Sequence, residues 1–179
     1  MTLTGRVALV TGASRGFGSA AARAFAAAGA HVVALARTAG GLEELDDLIQ
    51  AAGGQATLVP LDISDGDGLA RMGAAIHGRW GKLDLWLHTA AFAPHLTPID
   101  RADGKDFDRT FKTNVTAFQH LIRVVDPLLR PAEAPMALIA ADQRAGEKFF
   151  GPYGASKAAQ SALARSWAAE APRLTVAEV

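Results

Sequence analysis

The chain has 179 residues, half of them hydrophobic, and its 18 basic and 18 acidic residues give a formal charge of zero. This composition suits one domain over residues 1–179, and the balanced charge disfavours nucleic-acid and membrane partners. The absence of cysteine excludes disulfides, zinc–thiolate sites and thiol catalysis. The first residues lack the apolar segment of a signal peptide, and no apolar run reaches the ~18 residues that span a bilayer. We therefore expect a soluble, cytoplasmic protein without a metal site.

Short β-rich runs alternate with longer helical stretches along the chain. The predicted strands are Arg6–Thr11, His31–Ala36, Thr57–Pro60, Leu83–His88, Met136–Ala141 and Leu174–Val179. The predicted helices are Gly16–Ala28, Gly41–Ala52, Gly66–Trp80, Asp106–Leu129 and Gly151–Ala171. The strands are nearly continuously hydrophobic, as in sheets that are covered on both faces. Repeated βα units of this length predict an α/β fold with a doubly wound parallel sheet.

A glycine-rich segment joins the first predicted strand to the first predicted helix. Glycine allows a sharp turn and leaves space for a phosphate beside the backbone. The free N–H groups and the positive end of the following helix then face the anion. The order of strand, glycine turn and helix predicts a dinucleotide site, with an ordinary βα turn as the alternative. The residues expected to bind the cofactor in this segment are Thr11, Gly12, Ser14, Arg15, Gly16, Phe17 and Gly18.

The end of the second predicted strand bears on which dinucleotide binds. NAD sites usually place a carboxylate there, where it binds the ribose 2′-hydroxyl. This chain has Ala36, followed by Arg37 and Thr38, and Arg15 lies in the glycine turn. Guanidinium groups match a 2′-phosphate, so the sequence favours NADP(H), with NAD(H) possible. The alternative for Arg37 is a solvated charge at a strand end.

Tyr153 and Lys157 are four residues apart on a predicted helix, so their side chains share one face. A neighbouring ammonium stabilises a phenolate. We therefore expect Lys157 to lower the pKa of Tyr153 and to make its hydroxyl a better proton relay. The alternative is an exposed helix that carries an ordinary aromatic residue and an ordinary lysine.

Taken together, these motifs resemble the short-chain dehydrogenase/reductase family over almost the whole chain. Thr11–Gly18 matches the family pattern Thr-Gly-x-x-x-Gly-x-Gly, and the pair Tyr153 and Lys157 matches Tyr-x-x-x-Lys. Asn114 stands where the family has an asparagine on a helix. Asp62 matches an aspartate that contacts the adenine ring, with a turn or helix cap as the alternative.

The resemblance implies a Rossmann fold and an oxidoreductase that interconverts a carbonyl and an alcohol by hydride transfer. Tyr153 would exchange a proton with the substrate oxygen. Lys157, which would hold the nicotinamide ribose, and Asn114 would support Tyr153. It also implies a homodimer or homotetramer through helices 106–129 and 151–171. The further cofactor-binding residues that it implies are Asp62, Ile63, Ala90 and Lys157.

The first departure from the family pattern is at the catalytic serine. The serine is expected thirteen residues before the tyrosine, where this chain has Ala140. Loss of such a polarising group can cost ~100-fold or more in rate. Asp142 and Gln143 are the nearest polar candidates, but neither is an evident replacement, because an ionised Asp142 would repel developing negative charge.

Two further departures concern the fourth strand and the end of the chain. The family segment Asn-Asn-Ala-Gly is His88–Ala91 here, and we expect His88 to fill a structural place rather than to act as a general base. The chain ends at Val179, within or just after the sixth predicted strand. Family members normally continue to a seventh strand, so about six strands and a pocket open on one side are expected.

These departures leave two other functions open. One is a degenerate homologue that binds NADP(H) with little or no turnover, as a sensor or a partner subunit. The other is a scaffold that associates through its helices. The substrate of an active enzyme is a small carbonyl or alcohol, for which Phe92, Pro94, Phe149 and Phe150 indicate only an apolar wall.

Overall fold

A computed structural model of the protein describes residues 2–142 and 144–179. Its strands are β1 Val7–Thr11, β2 His31–Ala36, β3 Gln55–Pro60, β4 Leu85–His88, β5 Met136–Ile139 and β6 Thr175–Glu178. Its α-helices are α1 Gly16–Ala27, α2 Ala39–Ala51, α3 Gly66–Trp80, α4 Gly104–Phe111, α5 Ala117–Leu129 and α6 Gly151–Glu170. Within the described ranges, no helix is both long enough and apolar enough to cross a bilayer.

The six strands form one parallel sheet in the order β3-β2-β1-β4-β5-β6. The chain builds outward from β1 to β3, then crosses back and continues from β4 to β6 on the other side of β1. This reversal is the topological switch point of a doubly wound sheet, and ligands bind beyond the strand ends there. The prediction of a doubly wound parallel α/β fold with about six strands is therefore confirmed.

Each face of the sheet has its own hydrophobic core, because strand side chains alternate between the faces. Leu9 and Val33 pack in the cluster that contains α3, α5 and α6 side chains. Val10 and Ala34 pack in the cluster that contains α1 and α2 side chains. Burial on both faces explains why the strands have no polar alternation.

The largest difference from the sequence prediction lies in the stretch expected as one helix, 106–129. It consists of α4, a π-helical turn at Lys112–Thr116, and α5. The Asp103 carboxylate caps α4, accepting from the N–H groups of Lys105 and Asp106, so the helix begins two residues earlier than expected. The sequence prediction treats this stretch as one continuous helix and does not include the π turn. Such turns are frequent at functional sites.

Candidate functional site

A cleft of about 640 Å³ opens at the carboxyl ends of the central strands. It receives residues from the turns that follow β1, β2, β3, β4 and β5. The predicted cofactor-binding residues in its lining are Gly12, Ser14, Arg15, Gly16, Phe17, Gly18, Arg37, Thr38, Asp62, Ile63 and Ala90. The structure thus brings together all of the predicted cofactor residues except Thr11 and Lys157.

Thr11 lies beneath the cleft and is fully buried. Its hydroxyl is 2.7 Å from Nδ1 of His88 and 3.3 Å from the main-chain oxygen of Leu87. Its main-chain oxygen accepts a hydrogen bond of 2.9 Å from the Thr89 hydroxyl. The Thr11 side chain therefore holds the end of β1 against β4, rather than facing a ligand.

The glycine turn packs closely against the segment that follows β4. A Cβ on Gly12 would lie 2.7 Å from the main-chain nitrogen of Ala90, and one on Gly18 would lie 2.6 Å from the Thr89 hydroxyl oxygen. At Gly16 a Cβ would meet nothing within 4 Å, so that position has open space and requires glycine for its φ of +57°. Arg15 precedes α1 without a side-chain cap, which leaves the first N–H groups of the helix available to an anion. The turn therefore fits a bound diphosphate.

Asp62 takes part in a turn and also lines the cleft. Its Oδ1 accepts a hydrogen bond of 2.8 Å from the Ser64 N–H. Partial burial on its own raises the pKa of the Asp62 carboxyl, but the Ser64 hydrogen bonds and the charges of Arg37 and Lys112 outweigh it and lower the pKa. Arg37 and Lys112 thus provide positive charge at this end of the cleft.

The Tyr153 hydroxyl donates a hydrogen bond of 3.0 Å to Oδ2 of Asp142. Burial, together with the Asp142 hydrogen bond and charge, raises the pKa of Tyr153 to about 12. The expectation that Lys157 lowers this pKa is therefore wrong. The Lys157 ammonium instead donates to the Ala140 carbonyl at 2.6 Å and to the Gln160 side-chain oxygen.

Lys157 is buried, and burial lowers its pKa. Its two acceptors come from different elements, since Ala140 follows β5 and Gln160 lies one helical turn further along α6. Gln160 was not among the predicted site residues. The signal that could have revealed it is its spacing of three residues from Lys157, which places both side chains on one helix face.

Asn114 lies in the π turn and is fully buried. Its side-chain oxygen accepts from the Phe92 N–H at 2.8 Å. Its side-chain amide donates to the Phe92 carbonyl and to the Ser156 hydroxyl, both at 2.9 Å. The side chain thus ties the loop after β4 to the start of α6, and it positions these segments rather than facing the open cleft.

A second cavity of about 210 Å³ is lined in part by Tyr153. Three of the four residues predicted to form an apolar wall line it, namely Pro94, Phe149 and Phe150. Phe92 does not, because its ring packs under the Arg109 guanidinium at 4.2 Å. Asp142 and Arg144 supply the charged part of the lining. Gln143 lies outside the described residues.

Comparison with known proteins identifies the family. A family model described as short chain dehydrogenase matches residues 6–178. A fatty acyl-CoA reductase of Acinetobacter baylyi is 32% identical over 169 residues, which are 93% of this chain and 57% of the relative. A sorbitol dehydrogenase of Cereibacter sphaeroides is 32% identical over 169 residues, with coverages of 93% and 64%.

A solved structure gives the same result at the level of the fold. A metagenomic short-chain oxidoreductase, in complex with NADP, is 28% identical and superposes with a TM-score of 0.93, covering 99% of this chain and 82% of that one. The chain spans between about half and two thirds of the length of the curated relatives it matches. The glycine turn, the sheet order and these matches all indicate the same family. The chain belongs to the short-chain dehydrogenase/reductase family.

Proposed function

We propose that the protein is an NADP(H)-dependent oxidoreductase that interconverts a small carbonyl compound and the corresponding alcohol. The observation that carries the proposal is the lining of the cleft, where the glycine turn lies together with Arg15, Arg37 and the uncharged Ala36. A guanidinium pairs with a 2′-phosphate, whereas a carboxylate at this strand end would repel it. The NADP complex of the metagenomic relative supports the same choice.

The chain would hold the two ends of the dinucleotide with different groups. Main-chain N–H groups at the start of α1 would bind the diphosphate, and Arg37 would bind the 2′-phosphate. Asp62 would face the adenine, as the family resemblance implies. When bound, the nicotinamide ring supplies or accepts a hydride.

Tyr153 would exchange the proton. With a pKa of about 12, its phenol is protonated near neutral pH and can donate a hydrogen bond to a substrate oxygen in the adjoining cavity. Ala140 offers no hydroxyl to share this task. The proposed enzyme is therefore slower than one in which a serine polarises the same oxygen.

A second candidate function is a nucleotide-binding protein with little or no turnover. This function is favoured because the side chains of Tyr153 and Lys157 already form hydrogen bonds within the protein. The Tyr153 hydroxyl bonds to Asp142, and the Lys157 ammonium bonds to Ala140 and Gln160. A substrate oxygen and a ribose would have to compete for these groups.

A turnover assay separates the two functions. Purified protein would be supplied with NADPH and a panel of aldehydes and ketones, alongside the variants Tyr153→Phe and Ala140→Ser. We expect measurable NADPH oxidation, a loss of at least about 100-fold in Tyr153→Phe and a gain in Ala140→Ser. Glu44→Gln, an exposed change on α2 outside the cleft, is the control and should retain the wild-type rate. NADPH binding without turnover, unaffected by Tyr153→Phe, would establish the binding protein instead.

We also propose that copies of the chain associate as a homodimer or homotetramer through residues 106–129, which include α5, and through α6, as the family resemblance implies. Light scattering coupled to gel filtration should then give a mass of about two or four times 18.6 kDa. A mass of one chain at micromolar concentration would contradict this assembly.

A further inference from the structure

Asp142 lies on the loop after β5, at the boundary between the protein and the cavity beside Tyr153. Its Oδ2 accepts the hydrogen bond from the Tyr153 hydroxyl at 3.0 Å, and its Oδ1 lies 3.3 Å from Nε of Arg144. The Asp142 side chain is 29% exposed, so the carboxylate touches both the half-buried tyrosine and solvent. This placement allows Asp142 to exchange a proton with the Tyr153 hydroxyl on one side and with solvent on the other.

A phenolate at Tyr153 is disfavoured in this arrangement. It would stand about 3 Å from a carboxylate, and like charges at that separation repel strongly. The ammonium that could offset the repulsion, Lys157, donates to Ala140 and Gln160 instead. A proton step that leaves Tyr153 as a phenolate therefore does not suit this site.

We propose that Asp142 is the proton partner of Tyr153, which relays a proton between the substrate oxygen and the Asp142 carboxylate. The proposal rests on the proposed oxidoreductase function. Tyr153 gives its own proton to Asp142 while it receives one from the substrate, so it is a neutral phenol before and after the step. Asp142 then exchanges the proton with solvent through its exposed edge.

The relay balances in both directions. In alcohol oxidation the carbinol C–H bond would break, and its electron pair would leave as a hydride that a bound oxidised nicotinamide would accept. The substrate O–H bond breaks, its electron pair forms the carbonyl π bond, and the proton passes to the Tyr153 oxygen. The Tyr153 O–H bond breaks in turn and a new O–H bond forms on Asp142. In carbonyl reduction the same bonds form and break in reverse, as the proton passes through Asp142 and Tyr153 to the substrate oxygen.

Titratable groups from several elements surround the pair, and one of them, His95 on the loop after β4, lines the same cavity. Arg144 lies on the same loop and stacks on Phe150, with its guanidinium 4.8 Å from the ring centre. Lys157 comes from α6, and Glu178 comes from the end of β6, where its charge acts on Lys157. Arg144 opposes the effect of Asp142 on Tyr153, since its charge favours the phenolate. Removing Asp142 and removing Arg144 should therefore have opposite effects.

The test uses the fact that Tyr153 is the only tyrosine in the chain. Incorporated 3-fluorotyrosine gives a single fluorine resonance, and the electron-withdrawing fluorine brings the phenol titration to a lower pH. We expect Asp142→Asn to lower the titration midpoint by about one pH unit, because asparagine keeps the shape and loses the charge. Arg144→Gln should raise the midpoint. Glu147→Gln removes an exposed carboxylate from the same loop and is the control that should leave it unchanged.

The kinetic arm measures alcohol oxidation against pH in the same proteins. We expect Asp142→Asn to lower kcat by about tenfold or more, with little change in KM, and to alter the pH profile. The relay is overturned if Asp142→Asn and Arg144→Gln both leave the fluorine titration midpoint at the value of the control. It is also overturned if Asp142→Asn leaves kcat and its pH profile unchanged. NADPH binding is measured separately on each sample. If the wild-type protein does not bind NADPH, the proposed function is refuted. The fluorine titration would still show whether the Asp142 charge raises the pKa of Tyr153.

Discussion

The imidazole of His88 lies in the core between Trp86 and Phe118, with ring centres 5.4 and 5.0 Å away. Its Nδ1 lies 2.7 Å from the Thr11 hydroxyl oxygen, while its Nε2 has no hydrogen-bond partner in residues 2–142 and 144–179. Burial, and to a lesser extent the charge of Lys157, lowers the pKa of His88 to about 3. The ring is therefore neutral near neutral pH, out of reach of substrate, and holds β4 against β1.

This burial predicts a pH-dependent stability. The folded pKa of about 3 lies below the unfolded value of 6.5, so the unfolded chain binds the proton first. The contribution of neutral His88 to the free energy of unfolding is therefore complete above pH 6.5 and is lost as the pH falls toward 3. Urea unfolding at pH 7 and pH 5 should show that wild type loses about 2 kcal/mol more than His88→Asn. Equal losses in the two proteins would show that His88 is not a buried neutral group.

At the scale of elements, the glycine turn packs directly against the segment that follows β4. A Cβ on Gly18 would overlap the main-chain oxygen of Gly12 and would also lie 2.6 Å from the Thr89 hydroxyl oxygen. Overpacking of this kind typically costs 1–3 kcal/mol. The same overlap would shift the turn away from the position in which its N–H groups face the cleft.

Gly18→Ala should therefore lower the free energy of unfolding by about 2 kcal/mol and weaken NADPH binding by about tenfold or more. Gly40→Ala is the matched control, because Gly40 is an exposed helical residue with nothing within 4 Å of a Cβ. It should be neutral or stabilising by up to about 1 kcal/mol. Denaturant unfolding and fluorescence titration measure the two effects, and an unaltered Gly18→Ala protein would contradict the close packing.

Regular elements could be predicted from the sequence because burial on both faces of the sheet leaves a continuous apolar signal. Helix α3, for example, occupies the range expected, Gly66–Trp80. The π turn could not be predicted, and neither could the partner of Tyr153. A spacing of four residues predicts that Tyr153 and Lys157 share a helix face. It does not predict that the loop after β5 brings a carboxylate to the hydroxyl and a carbonyl to the ammonium.

At the scale of the whole molecule, the doubly wound topology concentrates the chemistry at one sheet edge. Residues from the turns after β1, β2, β3, β4 and β5 line a single cleft, although they span the chain from Gly12 to Ala140. Family membership establishes the fold, and the proposed chemistry is that of the family. The relatives include a fatty acyl-CoA reductase and a sorbitol dehydrogenase, so the family does not fix a substrate. The nucleotide site is the part of the function on which the rest depends.

The central claim is that this cleft binds NADP(H), and calorimetric titration with NADPH and NADH tests it most directly. We predict that wild type binds NADPH at least about tenfold more tightly than NADH, a difference of about 1.4 kcal/mol. Arg37→Ala should remove most of that preference, whereas Arg23→Ala, an exposed change on α1 outside the cleft, should leave it intact. Equal affinity for the two nucleotides in wild type, or binding of neither, would contradict the claim.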